Sequence, residues 1–168
     1  MKLFLCLLFA VASSFAFGGS LQDKISGDLV RLDGDALVPA SDALDGKDVI
    51  AVYYSAHWCP PCRQFTPQLS EFYDQASEEY PNFQMIFMSS DRGSDAMEEY
   101  MEWGKMNFPA VSFDERQASG LGEFSARGIP YLVVLDGDGN QILGKAPGED
   151  YKSPYQTLEE LNSLLASQ

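Results

Sequence analysis

The sequence predicts an α/β fold: a central mixed β-sheet flanked by helices, with an N-terminal β-hairpin extension. Three observations carry this. Val49–Tyr54 (VIAVYY), Phe83–Met88 (FQMIFM) and Tyr131–Asp136 (YLVVLD) are short apolar runs rich in β-branched and aromatic residues, the pattern of strands buried on both faces. Between them, Pro60–Tyr80 and Ser94–Lys105 carry apolar residues at helical spacing. The chain has 168 residues, 45% hydrophobic and 21% charged, which suits one domain with a substantial core.

The elements follow in order. Leu29–Val38 (LVRLDGDALV) alternates around a D-G-D turn and reads as a hairpin. Ser41–Leu44 reads as a capped helical turn ended by Gly46. After strand 49–54, Pro60 and Pro61 suit a first helical turn, where amide donors lack partners, and Phe65, Leu69, Phe72, Tyr73 and Ala76 form the buried face. Pro67 lies further in and predicts a kink. The next helix places Met97, Tyr100 and Met101 on one face, with Ser94 or Asp95 as its cap. Pro109–Phe113 reads as extended and Glu115–Phe124 as a short helix. Gln141–Leu143 pairs with strand 131–136 across DGDGN, and Thr157–Leu165 closes the chain as an amphipathic helix through Leu158, Leu161, Leu164 and Leu165. That order gives a mixed sheet with helices packed on it.

The first residues read as an address. Met1-Lys2 precedes an apolar run of about fifteen residues, suited to the core of a secretory signal and short of the ~20 that a spanning helix needs. Small residues Ser14 and Ala16 place cleavage before Phe17, giving a signal peptide at 1–16 and one domain at 17–168. An uncleaved anchor is the alternative; Cys6 lies inside the run rather than after it, which argues against a lipoprotein. Cleavage removes Lys2 and Cys6, leaving 152 residues, ten basic against 25 acidic side chains and a net charge of −15. Such a chain repels phosphate backbones and anionic lipid, so the expectation is an exported protein, periplasmic or extracellular, with no nucleic-acid partner and no membrane contact after processing.

Two cysteines then remain, Cys59 and Cys62, spaced C-x-x-C. The compartment permits disulfides, yet this one closes too small a loop to constrain the unfolded chain much, so the pair reads as chemical rather than structural. It opens the helix after strand VIAVYY, which puts Cys59 at a helix N-terminus, where free amides and the macrodipole favour a thiolate. Cys62 lies one turn on, placed to resolve a mixed disulfide. Pro60 and Pro61 remove amide donors, so the expected depression of the Cys59 pKa is moderate and leans towards a reductase or isomerase. Downstream, Ile129-Pro130 stands at the mouth of strand YLVVLD, where proline is unusual unless its peptide bond is cis or the strand end is shaped for function. If Pro130 faces the cysteines, the Ile129 backbone can pair with an extended substrate chain.

The segment Tyr53-Tyr-Ser-Ala-His-Trp-Cys-Pro-Pro-Cys-Arg-Gln-Phe-Thr-Pro67, continuing through Leu69, Glu71, Phe72 and Tyr73, resembles the active-site segment of tryparedoxin and nucleoredoxin. The resemblance extends over about Leu29 to Leu165, with Ser89–Asp91, Gly104–Met106, Phe113–Asp114 and Ile129–Pro130 in corresponding places. It implies a thioredoxin fold, Cys59 as attacking and Cys62 as resolving thiol, cis-Pro130 beside them, Trp58 as an aromatic flank and Pro67 as the helix kink. The further expectation is a monomer that takes a protein or small-molecule disulfide as substrate and needs no cofactor; since no nucleotide-binding signature appears, electrons are expected from a separate thiol donor. Tryparedoxins carry tryptophan where this chain has Ser90 and an acidic residue where it has Arg127, so their glutathione-type donor does not transfer. Thioredoxins hold a buried aspartate where this chain has Tyr53, which leaves open the group that deprotonates Cys62.

Other motifs read more plainly. His57, the one histidine, could tune the thiolate or join a zinc site, but too few soft ligands accompany it, and an exposed side chain is the expectation. Asp136, Asp138 and Asn140 begin like a calcium loop, but Gln141 and Pro147 stand where glycine and a bidentate glutamate belong. Trp103, with Tyr100 and Met101, reads as core or edge packing rather than a recognition patch. No metal site is therefore expected, and no glycine-rich nucleotide signature is present. A non-catalytic module that holds clients along the Ile129–Pro130 edge is the competing reading, and an oxidant that introduces disulfides is the other direction of the first.

Overall fold

The computed structural model describes residues 19–144 and 152–168; the signal-peptide expectation and Pro147 lie outside them. Seven strands form one mixed sheet in the order β2-β1-β5-β4-β3-β6-β7. The strands are β1 (Leu29–Asp33), β2 (Ala36–Pro39), β3 (Val49–Ser55), β4 (Phe83–Ser89), β5 (Ala110–Val111), β6 (Tyr131–Asp136) and β7 (Gln141–Leu143). The helices are α1 (Leu21–Ile25), α2 (Pro60–Glu79), α3 (Ser94–Trp103) and α4 (Pro154–Leu165).

The centre is built from the three apolar runs. β3 and β4 are buried along their whole length, and β6 in all but its last residue. β3 runs parallel to β4 in register from Val49↔Phe83 to Ser55↔Ser89, joined by α2, as a parallel pair requires. It runs antiparallel to β6 on its other side, from Val49↔Asp136 to Tyr54↔Tyr131. Side chains alternate between faces with period two. Val49, Ala51 and Tyr53 join Phe83, Met85, Phe87, Leu132 and Val134 in the layer against α2, α3 and α4. Ile50, Val52 and Tyr54 join Ile86, Met88, Val133 and Leu135 in the other, covered by Leu21 and Ile25 of α1, the 40–44 turns and Leu121.

Several local expectations differ. Residues 41–46 form successive turns rather than a helical turn, with Gly46 at φ 68° ending them. The cap of α3 is Gly93, with neither Ser94 nor Asp95 supplying a side-chain bond. Residues 115–124 are turns followed by a 3-10 helix at Leu121–Phe124, because Gly120 at φ 75° ends one and starts the other. The closing helix starts three residues early, at Pro154, where Ser153 and Gln156 make a reciprocal capping box. α1 shows no helical period, because five residues are too few for one, and its capping box, Ser20 with Asp23, is the one mark it leaves in the sequence. α2 continues as one helix through Pro67.

Burial gives the fold an alkaline limit. Burial first, then the neighbouring Tyr100, pushes the Tyr53 phenol far above its ordinary value of 10.0; burial, with Tyr131 and Glu123, does the same to Tyr54. A group whose folded pKa is raised gives stability that is complete below its unfolded pKa and is lost as pH rises above it. The urea midpoint should therefore fall steadily as pH rises above about 10, and Tyr54→Phe should flatten part of that fall. Equal slopes for both proteins would remove Tyr54 from the account.

Candidate active site

β3 ends at Ser55 and a three-residue loop delivers Cys59 to the start of α2. Cys59 is the N-cap, extended at φ −92° and ψ 109°, and Pro60 and Pro61 fill the first two helical positions. Neither proline has an N–H, so within this first turn the amide of Cys62 is the one able to face the Cys59 sulfur. Cys59 and Cys62 form a disulfide with their Cα atoms 5.2 Å apart. Cys62 is fully enclosed and Cys59 is 4% exposed, so the outer sulfur is that of Cys59. The Ile129–Pro130 peptide bond is cis, and Cys59 Sγ lies 3.6 Å from the Ile129 carbonyl oxygen. Trp58, Cys59, Pro60, Pro61, Cys62, Ile129 and Pro130 thus meet at one end of the sheet.

Below the disulfide lies a cluster of buried hydroxyls that sequence reasoning missed. The Thr66 hydroxyl donates to the Cys62 carbonyl at 2.9 Å, and the Tyr53 hydroxyl lies 3.5 Å from the same oxygen. Thr66 and Tyr53 are 2.8 Å apart, Thr66 and Tyr100 2.6 Å, and Ser55 bridges Tyr53 and Tyr100 at 2.9 Å each. Where thioredoxins hold a carboxylate, this chain has a phenol whose raised pKa keeps it neutral. The cluster anchors the backbone of the resolving cysteine rather than supplying a charged base.

The rim corrects the expectation for His57. Its ring is half-buried, stacked on Tyr100 with centroids 5.1 Å apart and tilted against Trp103 at 5.7 Å. The His57 backbone N–H donates to Asp91 Oδ1 at 2.8 Å, and Arg63 donates to the His57 carbonyl. Tyr100 and Met101 are core, as expected, whereas Trp103 remains 47% exposed. Trp58 is 53% exposed, its Nε1 donating to Ser90 O at 3.2 Å, and forms an aromatic wall on this side. On the other side Pro61, Gln64, Ile129, Pro130 and Tyr155 line a groove of about 370 Å³. Tyr155 was missed because it sits almost a hundred residues from the cysteines, signalled only by the proline before it.

Among the described residues no three His, Cys, Asp or Glu side chains come together as a metal-binding group. The Asp136 carboxylate accepts from the Asn140 side chain and from the amides of Asp138 and Asn140. Burial pushes that carboxyl up, but these bonds outweigh it and hold it below the ordinary range, so it serves the β6–β7 turn. A depression of about 630 Å³ lies at the opposite end of β3, among Asp45, Asp48 and Asp138, away from the sulfurs. No helix among the described residues is long and apolar enough to cross a membrane.

The fold and the site define a class: a cysteine pair at the head of a helix, facing a cis-proline loop on a mixed sheet. The chain belongs to the thioredoxin-like family, whose model matches residues 46–141. It is 43% identical over 125 residues to probable nucleoredoxin 1 of Arabidopsis thaliana, covering 73% of this chain and 21% of that protein. It is 40% identical over 104 residues to tryparedoxin of Trypanosoma brucei brucei, covering 61% and 69%. Among solved structures, thioredoxin from Wuchereria bancrofti superposes with a TM-score of 0.63 at 37% identity, covering 86% of this chain and 98% of that one. Tryparedoxin II complexed with glutathionylspermidine gives 0.57 at 36% identity, covering 69% and 79%. The thioredoxin fold is therefore established. The chain spans only 21% to 27% of the length of the plant and human nucleoredoxins it matches.

Proposed function

We propose that the protein is a thiol–disulfide oxidoreductase that reduces or isomerises protein disulfides. The observation that carries this is the Cys59–Cys62 pair one helical turn apart, with the less enclosed sulfur at the N-cap of α2. In the reduced protein the Cys59 thiolate attacks one sulfur of the substrate disulfide, forming a mixed disulfide and expelling the first substrate thiolate. Cys62, deprotonated in turn, attacks Cys59 Sγ, which expels the second substrate thiolate and leaves the Cys59–Cys62 disulfide. Two electrons pass to the substrate, and a separate thiol donor restores the dithiol. Trp58, Pro60, Pro61, Ile129 and Pro130 shape the site, and the Ile129 backbone offers an edge along which an extended substrate segment pairs. No cofactor takes part, and the protein acts as a monomer. Its family resemblance to tryparedoxin and nucleoredoxin supports dithiol exchange. Export with cleavage after Ala16, to the periplasm or the extracellular space, belongs to the same proposal and rests on the apolar run behind Lys2.

Equilibration against glutathione buffers tests it. The expected result is a two-electron couple between about −270 and −180 mV, the reductase and isomerase range. A value near −120 mV reverses the direction to disulfide donation, and absence of a Cys59–Cys62 couple removes the activity. In that last case, client binding retained by the protein with both cysteines replaced by serine would leave a holding module.

A further inference from the structure

Beside the dithiol, on the side away from the cis-proline groove, lies a second recess of about 370 Å³ lined by His57, Trp58, Arg63, Asp91, Arg92 and Ala96. Its charge runs against that of the chain. There are 25 acidic and 11 basic residues, so the average cation has more than two carboxylates to choose from. Among the described residues, however, the ion pairs are Arg31–Asp42 and Lys152–Glu160, and neither arginine of the recess joins one. Arg92 is exposed and, among the described residues, makes no hydrogen bond or ion pair. Arg63 spends one N–H on the His57 carbonyl, and a guanidinium has five.

The single carboxylate in the lining is already engaged. Asp91 is 6% exposed; its Oδ1 accepts from the His57 amide and its Oδ2 from the Ser89 hydroxyl. A third cation, Arg116, lies close enough to feel the Asp91 charge, held there by the carbonyls of Ser89 and Phe113 and by the Phe113 ring. Asp95, on the first turn of α3, does not line the recess. The recess is thus a locally positive site on a strongly negative protein, lined by Trp58 and Arg63, the two residues that flank the Cys59-Pro-Pro-Cys62 motif. The Arg92 guanidinium and the N–H groups that Arg63 does not spend on His57 are suited to carboxylates.

We propose that this recess selects disulfide substrates that carry negative charge beside the reacting sulfur, such as a carboxylate within one or two residues of the cysteine. The proposal rests on the oxidoreductase reading and names its substrate class. Screening decides why the net charge does not cancel it. At physiological salt the Debye length is about 8 Å, so carboxylates across the molecule are largely masked while the arginines act at contact. Cationic substrates meet the reverse: weak attraction at a distance and repulsion at the recess.

Three small disulfides test this on the full reduced chain: glutathione disulfide, which is anionic; 2-hydroxyethyl disulfide, which is neutral; and cystamine, which is cationic. In each case Cys59 forms a mixed disulfide and one small thiol leaves, so stopped-flow rates report the first step. Rates are divided by those of a simple dithiol with the same probes, which cancels intrinsic reactivity. The expected result is a preference for the anionic probe over the cationic one. Arg92→Glu should lower that ratio by about tenfold and Arg92→Gln by about threefold, with both effects shrinking in high salt. A change in Cys59 pKa, or a distorted site, would scale all three rates together and leave the ratio alone. A ratio within twofold of the parent in both variants overturns the proposal. Failure to react with any of the three overturns the oxidoreductase reading itself.

Discussion

Cys62→Ser should convert the protein from a catalyst into a trap. Cys59 keeps its place at the helix N-cap and still attacks, but nothing remains one turn behind it to release the product. Turnover should fall to background while a client–Cys59 mixed disulfide accumulates, seen as a reducible mass increase. Cys59→Ser should lose both turnover and adduct, because the remaining sulfur is fully enclosed. Stability does not confuse the comparison when the reduced parent is the reference. Even against the oxidised parent, a disulfide closing so short a loop contributes about 2 kcal/mol by chain entropy. An adduct of equal yield on Cys62 in the Cys59→Ser protein would reverse the assigned roles.

The parts of this arrangement that were legible in the sequence are those written in consecutive residues. VIAVYY, FQMIFM and YLVVLD could be read as central strands because burial on both faces leaves no polar alternation to mislead. The cysteine pair and Ile129-Pro130 could be read because each is a local departure from what a plain helix or strand start tolerates. The hydroxyl cluster was not legible. Tyr53, Ser55, Thr66 and Tyr100 come from three elements, and each alone is an ordinary strand or helix residue. His57 failed for the same reason: its burial is made by Tyr100 and Trp103, more than forty residues away. That neither Arg63 nor Arg92 joins an ion pair among the described residues is likewise a property of the folded surface, since a sequence so rich in carboxylates predicts acidic partners for both.

Gly144→Ala should be among the most costly single substitutions in the chain. Gly144 follows β7 with φ 78°, in the left-handed region that penalises any side chain. A Cβ there would stand 2.3 Å from the Leu132 carbonyl oxygen and 2.8 Å from Val133 Cα, both backbone atoms of a central strand that cannot swing aside. Strain and collision together should exceed about 3 kcal/mol. The damage is not confined to the edge. The Gly144 carbonyl accepts from the buried Tyr131 hydroxyl at 2.5 Å, and Tyr131 directly follows Pro130. Displacing Gly144 therefore pulls on the residue that directly follows the cis-proline. Gly34→Ala is the matched control, with a similar φ of 63° but nothing within 4 Å of the added carbon, and it should cost about 1 kcal/mol. Urea unfolding of the two variants separates collision from backbone strain: a gap of about 2 kcal/mol or more is expected, and equal losses would show that the approach to Leu132 relaxes freely.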